Sequence, residues 1–228
     1  MALELLDTFA VPSVPIAGIE ERFPVRRIFC VGRNYADHVA EMGGSMREPP
    51  FFFTKFAVAV VQNGARLQYP SGTANFHFEG ELVVAIGKEG SHVRAGQAHE
   101  LIFGYAVGLD MTRRDLQLAA RDRGRPWDVG KNFEQSAPVG CVHRRSDVGA
   151  IERGVLELQV NGVVKQRADL AQMIWNTAEI IEHLSGFYRL TAGDLIFTGT
   201  PAGVGSVASG DRIDVRIDGL SPLSVSVE

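Results

Sequence analysis

Apolar residues in this chain fall mostly into short runs punctuated by Gly, Pro, Asn and Asp, a pattern of strands rather than long helices. Val25 to Val31 predicts a strand that Gly32 ends, and Asn34 can cap a short helix, Tyr35 to Met42, closed by Gly43-Gly44. Phe51 to Thr54, Val58 to Val61, the run headed by Glu79, and Phe103 to Leu109 predict further strands. Thr112-Arg113-Arg114-Asp115 has capping-box spacing and predicts a helix to about Asp122. Val155 to Val160, then Asn161-Gly162, then Val163 to Gln166 is a strong hairpin signal. A second helix is predicted from Asn176 or Thr177 to Ser185, stopped by Gly186. The tail alternates from Asp211 to Ile217, turns at Asp218-Gly219 and resumes from Leu223 to Val227. Residues 1–24, with Pro12, Pro15 and Pro24, read as an N-terminal arm. The expectation is one strand-rich α+β domain over 25–228 behind that arm, without parallel βαβ alternation or internal repeats.

Composition narrows the class. The 228 residues are 45% hydrophobic and 22% charged, ordinary for a globular protein, and a net charge of −4 favours neither nucleic acid nor an acidic membrane surface as partner. Cys30 and Cys141 form no CxxC pair, acids stand near the N-terminus where a signal peptide would be basic, and no apolar run reaches membrane-spanning length. These features lead us to expect a cytoplasmic protein.

The chemistry concentrates in Phe78-Glu79-Gly80-Glu81-Leu82-Val83-Val84-Ala85-Ile86. Residues i and i+2 of a strand share a face, so Glu79 and Glu81 should project together. Two carboxylates so placed resist joint ionisation unless a cation lies between them. The same spacing fits a solvated strand with acids on its outer face, but the apolar run that follows argues against an exposed edge. Asp110, ending a buried strand before a helix, is the third candidate ligand. Three carboxylates suit Mg²⁺ or Mn²⁺, and the lack of a paired His or Cys set argues against zinc. His77 fits either a residue orienting a carboxylate or a histidine bonded to backbone, and stays outside the catalytic set.

His38 and Glu41, at i and i+3, share a helix face and could form a base whose tautomer a carboxylate fixes, although any solvated helix can carry such a pair. The adjacent Gly43-Gly44-Ser45 suggests a hinged lid. Arg114 and Gln117 repeat the spacing and could grip a carboxylate or keto oxygen, while Lys131 could neutralise an anion beside a metal. The loop Thr198-Gly199-Thr200-Pro201-Ala202-Gly203-Val204-Gly205 lacks the Gly-Lys-Ser/Thr ending of a phosphate loop, yet its N–H groups and Thr200 could cradle a carboxylate.

Together these segments resemble the fumarylacetoacetate hydrolase superfamily, from about Val25 to the C-terminus. The carriers are Val31-Gly32-Arg33-Asn34-Tyr35-Ala36-Asp37-His38, Glu79-Gly80-Glu81, Gly104 to Thr112, Arg114-Asp115-Leu116-Gln117, Lys131 and Phe197 to Pro201. Glu48 to Phe53, Asp110 to Gln117, Gly124 to Trp127 and Ser136 to Pro138 look most like its bacterial fumarylpyruvate hydrolases. The resemblance implies a mixed β-sheet roll with few short helices, a homodimer, and Mg²⁺ or Mn²⁺ on Glu79, Glu81 and Asp110. It also implies His38 and Glu41 as the water-activating pair, and Lys131, Arg114, Gln117 and Thr200 around the oxo-acid head. Arg33 is the candidate for the far carboxylate. The implied reaction is hydrolysis of the C–C bond of an acylpyruvate, such as 3-fumarylpyruvate to fumarate and pyruvate in gentisate breakdown. The alternatives are oxaloacetate decarboxylation and isomerisation of an unsaturated dicarboxylate. Two departures stand out: His77-Phe78 where adjacent histidines are common, and Phe56 where a proline is usual.

Overall fold

A computed structural model of the chain describes residues 10–35 and 48–228. Its centre is an eight-stranded mixed sheet. The strand order is Phe51–Lys55, Arg27–Gly32, Asp194–Phe197, Gly80–Ile86, Ile102–Leu109, Ala137–Val139, Val60–Gln62, with His143–Arg144 also paired to Ile102–Leu109. Asp194–Phe197 runs parallel to Arg27–Gly32 and antiparallel to Gly80–Ile86, so the two ends of the chain meet at the middle of the sheet.

Alternation along the central strands sorts side chains into two cores. Leu82, Val84 and Ile86 join one, with Leu156, Leu158, Ile213, Val215 and the helix residues Ile180, Ile181 and Leu184. Val83 and Ala85 join the other, with Val14, Phe23, Ile28 and Phe197. Every residue of Gly80–Ile86 is buried, as a strand packed on both faces must be. The first core is closed by a five-stranded sheet in the order Val163–Asp169, Val155–Val160, Arg212–Ile217, Leu223–Val227, Arg66–Leu67. The second is closed partly by Ser13–Pro15 and Arg22–Pro24, which pair antiparallel. A three-stranded sheet, Thr112–Arg113, Phe76–Phe78, Gly205–Ser206, covers the mouth of the central strands. The few helices are short, and none among the described residues is long and apolar enough to cross a membrane.

Local signals held where they needed no help from elsewhere. Asn161 and Gly162 both take positive φ, 51° and 78°, and join Val155–Val160 to Val163–Asp169. Others were overridden. Residues Ala57–Ala59 form a 3-10 turn, and the strand starts only at Val60, because Ala59 N–H is satisfied locally by the Phe56 carbonyl at 2.9 Å. The helix from Thr177 runs through Gly186 to Phe187; burial of Ile180, Ile181 and Leu184 outweighs the roughly 1 kcal/mol penalty of one glycine. No capping box forms at Thr112, since the Thr112 hydroxyl donates to the Asp110 carbonyl (3.1 Å) and Asp115 accepts from Thr73 Oγ1 (2.5 Å) and Ala74 N–H (3.0 Å). The Asn34 side chain accepts from Trp175 N–H (2.8 Å) and donates to the carbonyls of Trp175 (2.9 Å) and Thr198 (2.7 Å), tying two distant loops together. The predicted helix from Tyr35 to Met42, with the Gly43-Gly44-Ser45 hinge, lies almost wholly outside the described residues.

Candidate active site

Glu79 occupies the break between Phe76–Phe78 and Gly80–Ile86, and Glu81 is the second residue of the latter strand. Antiparallel register sets Gly80 opposite Leu109, so Asp110, just past the end of Ile102–Leu109, falls beside Glu79; its N–H donates to the Glu79 carbonyl at 2.9 Å. The three carboxylates are buried, and one oxygen from each lies within 4.8 Å of the others.

Like charges this close need compensation. Lys131, at the end of the short helix Asp128–Lys131, places Nζ 2.7 Å from both Glu79 Oε2 and Asp110 Oδ2, and 2.8 Å from Thr112 Oγ1. Burial alone would lower the Lys131 pKa, but the charges of Asp110 and Glu79 outweigh it and hold the ammonium above its ordinary value. Arg114 donates to Glu79 Oε1 and to Gln117 Oε1, so the predicted i, i+3 pair is joined on one helix face. Lys55 Nζ lies 2.8 Å from Asp110 Oδ1 and donates to the carbonyls of Met111 (3.1 Å) and Lys131.

Glu81 is placed differently. One oxygen accepts from Gly199 N–H at 2.7 Å, while burial and the charges of Asp110 and Glu79 push its carboxyl well above the usual carboxylate range. Gly199 suits this contact because its φ is +97° and a Cβ there would stand 2.7 Å from Asn34 Cβ. A divalent cation against Glu81 would offset the repulsion that raises its pKa, and the donors are all hard oxygens. The residues therefore fit such a metal.

A narrow cleft opens on this cluster, lined by the three acids together with Arg33, Arg114, Gln117, Lys131 and Thr200. The structure thus gathers every sequence-predicted site residue that it describes. The predicted His38 and Glu41 lie outside the described residues. The Thr200 hydroxyl is already engaged, donating to Gly80 O (2.9 Å) and accepting from Gln166 Nε2 (2.8 Å), which ties the loop to the strand Gly80–Ile86. His77 Nε2 is 2.8 Å from the Asn75 side-chain oxygen, and Arg114 Nε donates to its Nδ1 at 3.5 Å. Burial first, then the Arg114 charge, lower the His77 pKa to about 4, so the ring is neutral and Nδ1 is free to accept.

Sequence reasoning missed Lys55, Trp127 and Gln166. Lys55 had a signal: a lysine two residues beyond Phe53 in an apolar strand shares its face with that residue and needs a buried partner. Gln166 had none, since its contacts to Gly80 N–H (2.9 Å) and Thr200 span sequence separations that no local pattern encodes.

Comparison with known proteins agrees with this geometry. Residues 27–228 match the family described as fumarylacetoacetate (FAA) hydrolase C-terminal. A fumarylpyruvate hydrolase of Ralstonia sp is 51% identical over 180 residues, covering 79% of this chain and 93% of that protein. The mitochondrial oxaloacetate tautomerase FAHD1 of Rattus norvegicus is 38% identical over 203 residues, 89% of this chain and 92% of its own. The crystal structure of fumarylpyruvate hydrolase from Pseudomonas aeruginosa, in complex with Mn²⁺ and pyruvate, superposes with a TM-score of 0.96 at 52% identity over 98% of both chains. With the carboxylate cluster in place and nearly the whole chain matched, the protein belongs to the fumarylacetoacetate hydrolase family.

Proposed function

We propose that the protein is a metal-dependent acylpyruvate hydrolase, cleaving 3-fumarylpyruvate to fumarate and pyruvate. The observation that carries this reading is the buried triad Glu79, Glu81 and Asp110 with Lys131 at 2.7 Å from two of its members. The similarity to two fumarylpyruvate hydrolases, one of them in complex with Mn²⁺ and pyruvate, supports it. Glu79, Glu81 and Asp110 would hold Mg²⁺ or Mn²⁺, and the bound ion supplies Lewis acidity to the oxo-acid oxygens. Arg114 and Gln117 orient the carboxylate of the pyruvoyl half, with Thr200 fixing the loop beside it. His38, aligned by Glu41, takes a proton from water onto an imidazole nitrogen, and the resulting hydroxide adds to the distal acyl carbonyl. Collapse of that adduct breaks the C–C bond, leaving a carboxylic acid and the enolate of pyruvate. The Lys131 ammonium stabilises the enolate charge, and protonated His38 returns the proton to the enolate carbon. Arg33 is assigned to substrate at the outer end of the cleft.

The catalytic unit proposed is 25–228, preceded by an arm of residues 1–24, in a cytoplasmic homodimer. A second reading, oxaloacetate decarboxylation or isomerisation of an unsaturated dicarboxylate through a similar enolate, draws on the 38% identical oxaloacetate tautomerase. The test is loss of 3-fumarylpyruvate absorbance with Mg²⁺ or Mn²⁺, run beside oxaloacetate and repeated with EDTA. Metal-dependent release of fumarate and pyruvate is expected. Turnover of oxaloacetate alone would overturn the assigned reaction.

A further inference from the structure

The metal cleft adjoins a second, more open chamber of about 520 Å³. Arg33, Phe53 and Trp127 line both spaces, so one leads into the other. Farther out the chamber adds Phe51, Arg125 and Asp128.

Its wall is an aromatic shelf built on Phe51–Lys55. Phe51 and Phe53 leave the same face of that strand. Trp127 packs against both, with ring centroids 5.2 Å from Phe51 at 90° and 5.8 Å from Phe53. Gly32 permits this: it pairs with Phe51 across the ladder, and a Cβ there would come within 2.0 Å of Phe51 Cζ. The inner end of the shelf meets the catalytic cluster, since Lys131 Nζ stands 5.0 Å from the Phe53 ring centroid.

Two cations border the shelf, Arg33 with a buried donor and Arg125 exposed to solvent. Arg33 takes φ 58°, an uncommon conformation for a side-chain-bearing residue, and its buried Nε has no hydrogen-bond partner among the described residues. An unpaired buried donor is unfavourable, so an acceptor from outside is favoured. Arg125 follows the tight turn at Gly124 (φ 61°), and its guanidinium enters no hydrogen bond or ion pair among the described residues. Among the described residues Asp128 is the acid lining the chamber, so guanidinium charge exceeds carboxylate charge among them.

We propose that this chamber is the acyl subsite. Arg125 and Arg33 bind the terminal carboxylate of a dicarboxylic acyl chain that packs against Phe51, Trp127 and Phe53. Planar guanidinium groups match a carboxylate in charge and in two-oxygen geometry, and an unsaturated chain can stack on the face of one ring while meeting the edge of its neighbour. The inference rests on the acylpyruvate reading above and deepens it. Arg125 becomes a residue that selects acyl groups ending in a carboxylate over those ending in a methyl.

The experiment compares 3-fumarylpyruvate with acetylpyruvate in wild type, Arg125→Met, Arg125→Lys and Arg33→Met. The kcat/KM ratio of fumarylpyruvate to acetylpyruvate should fall at least tenfold in each Met variant and be partly restored in Arg125→Lys. Because each variant is its own reference, a general loss of fold leaves the ratio unmoved. An unchanged ratio in both Met variants would overturn the subsite. Calorimetric titration of fumarate into the metal-free protein separates this failure from that of the reaction. If wild type hydrolyses neither acylpyruvate, a fumarate Kd weakened tenfold by Arg125→Met still supports the subsite, and an unchanged Kd overturns it.

Discussion

Lys55 ends an apolar strand, and its side chain is wholly removed from solvent beside Asp110. Removing one member of a buried ion pair leaves the other charge desolvated and uncompensated. Lys55→Met should therefore destabilise the fold by about 3 kcal/mol, read as a shift of the urea midpoint at constant slope. Lys131 contrasts with it. Its ammonium faces the cleft as well as Glu79 and Asp110, so Lys131→Met should lower kcat by 10²-fold or more, as on loss of an oxyanion partner. Single-turnover kinetics would separate that loss from weaker binding. Glu79 and Glu81 were legible as a pair because their two-residue spacing is local. The lysines' roles were less so, because a cation's meaning depends on which carboxylate the fold brings to it.

At the level of elements, the helix Thr177–Phe187 shows what a cap contributes. Asn176 accepts from Glu179 N–H at 3.0 Å and Glu179 returns a bond to Asn176 N–H at 3.0 Å, so Asn176→Ala should cost about 1 kcal/mol in thermal or urea unfolding. The sequence announced that start but not the end, which packing against the first core carried past Gly186. On the five-stranded sheet, Glu157 is buried between the arginines of the neighbouring strands. Hydrogen bonds from Arg216 first, then Gln159 and Arg167, hold its carboxyl down to about 2 against an ordinary 4.5. A depressed folded pKa means that this contribution is complete above pH 4.5 and lost as pH falls from there through 2. The Tm of Glu157→Gln should therefore fall less steeply than wild type between pH 4.5 and 2, and parallel slopes would refute the assignment.

For the whole molecule, the carboxylate cluster lies where the eight-stranded sheet, the three-stranded sheet and the 198–205 loop converge. A cation that binds only the folded chain must stabilise all of it. Mg²⁺ or Mn²⁺ at a hundred times its Kd should raise the unfolding free energy by about 2.7 kcal/mol. EDTA should reverse the shift, and Glu81→Gln should abolish most of it while the metal-free melt stays cooperative.

The sequence alone determined what depends on near neighbours. The two-residue spacing paired Glu79 with Glu81, Asn161-Gly162 set a hairpin, Asn176 began a helix, and the order of motifs marked the family. Tertiary structure decided what depends on distant segments. It placed Asp110 beside Glu79 through antiparallel register, made the Asn34 side chain a tie between distant loops, set Lys55 against Asp110 and Gln166 against Gly80 and Thr200, and brought Trp127 to the cleft. The physical reason is range. Backbone geometry and capping act within a few residues, whereas the charge balance of a buried site is settled only when strands far apart in sequence share one interior.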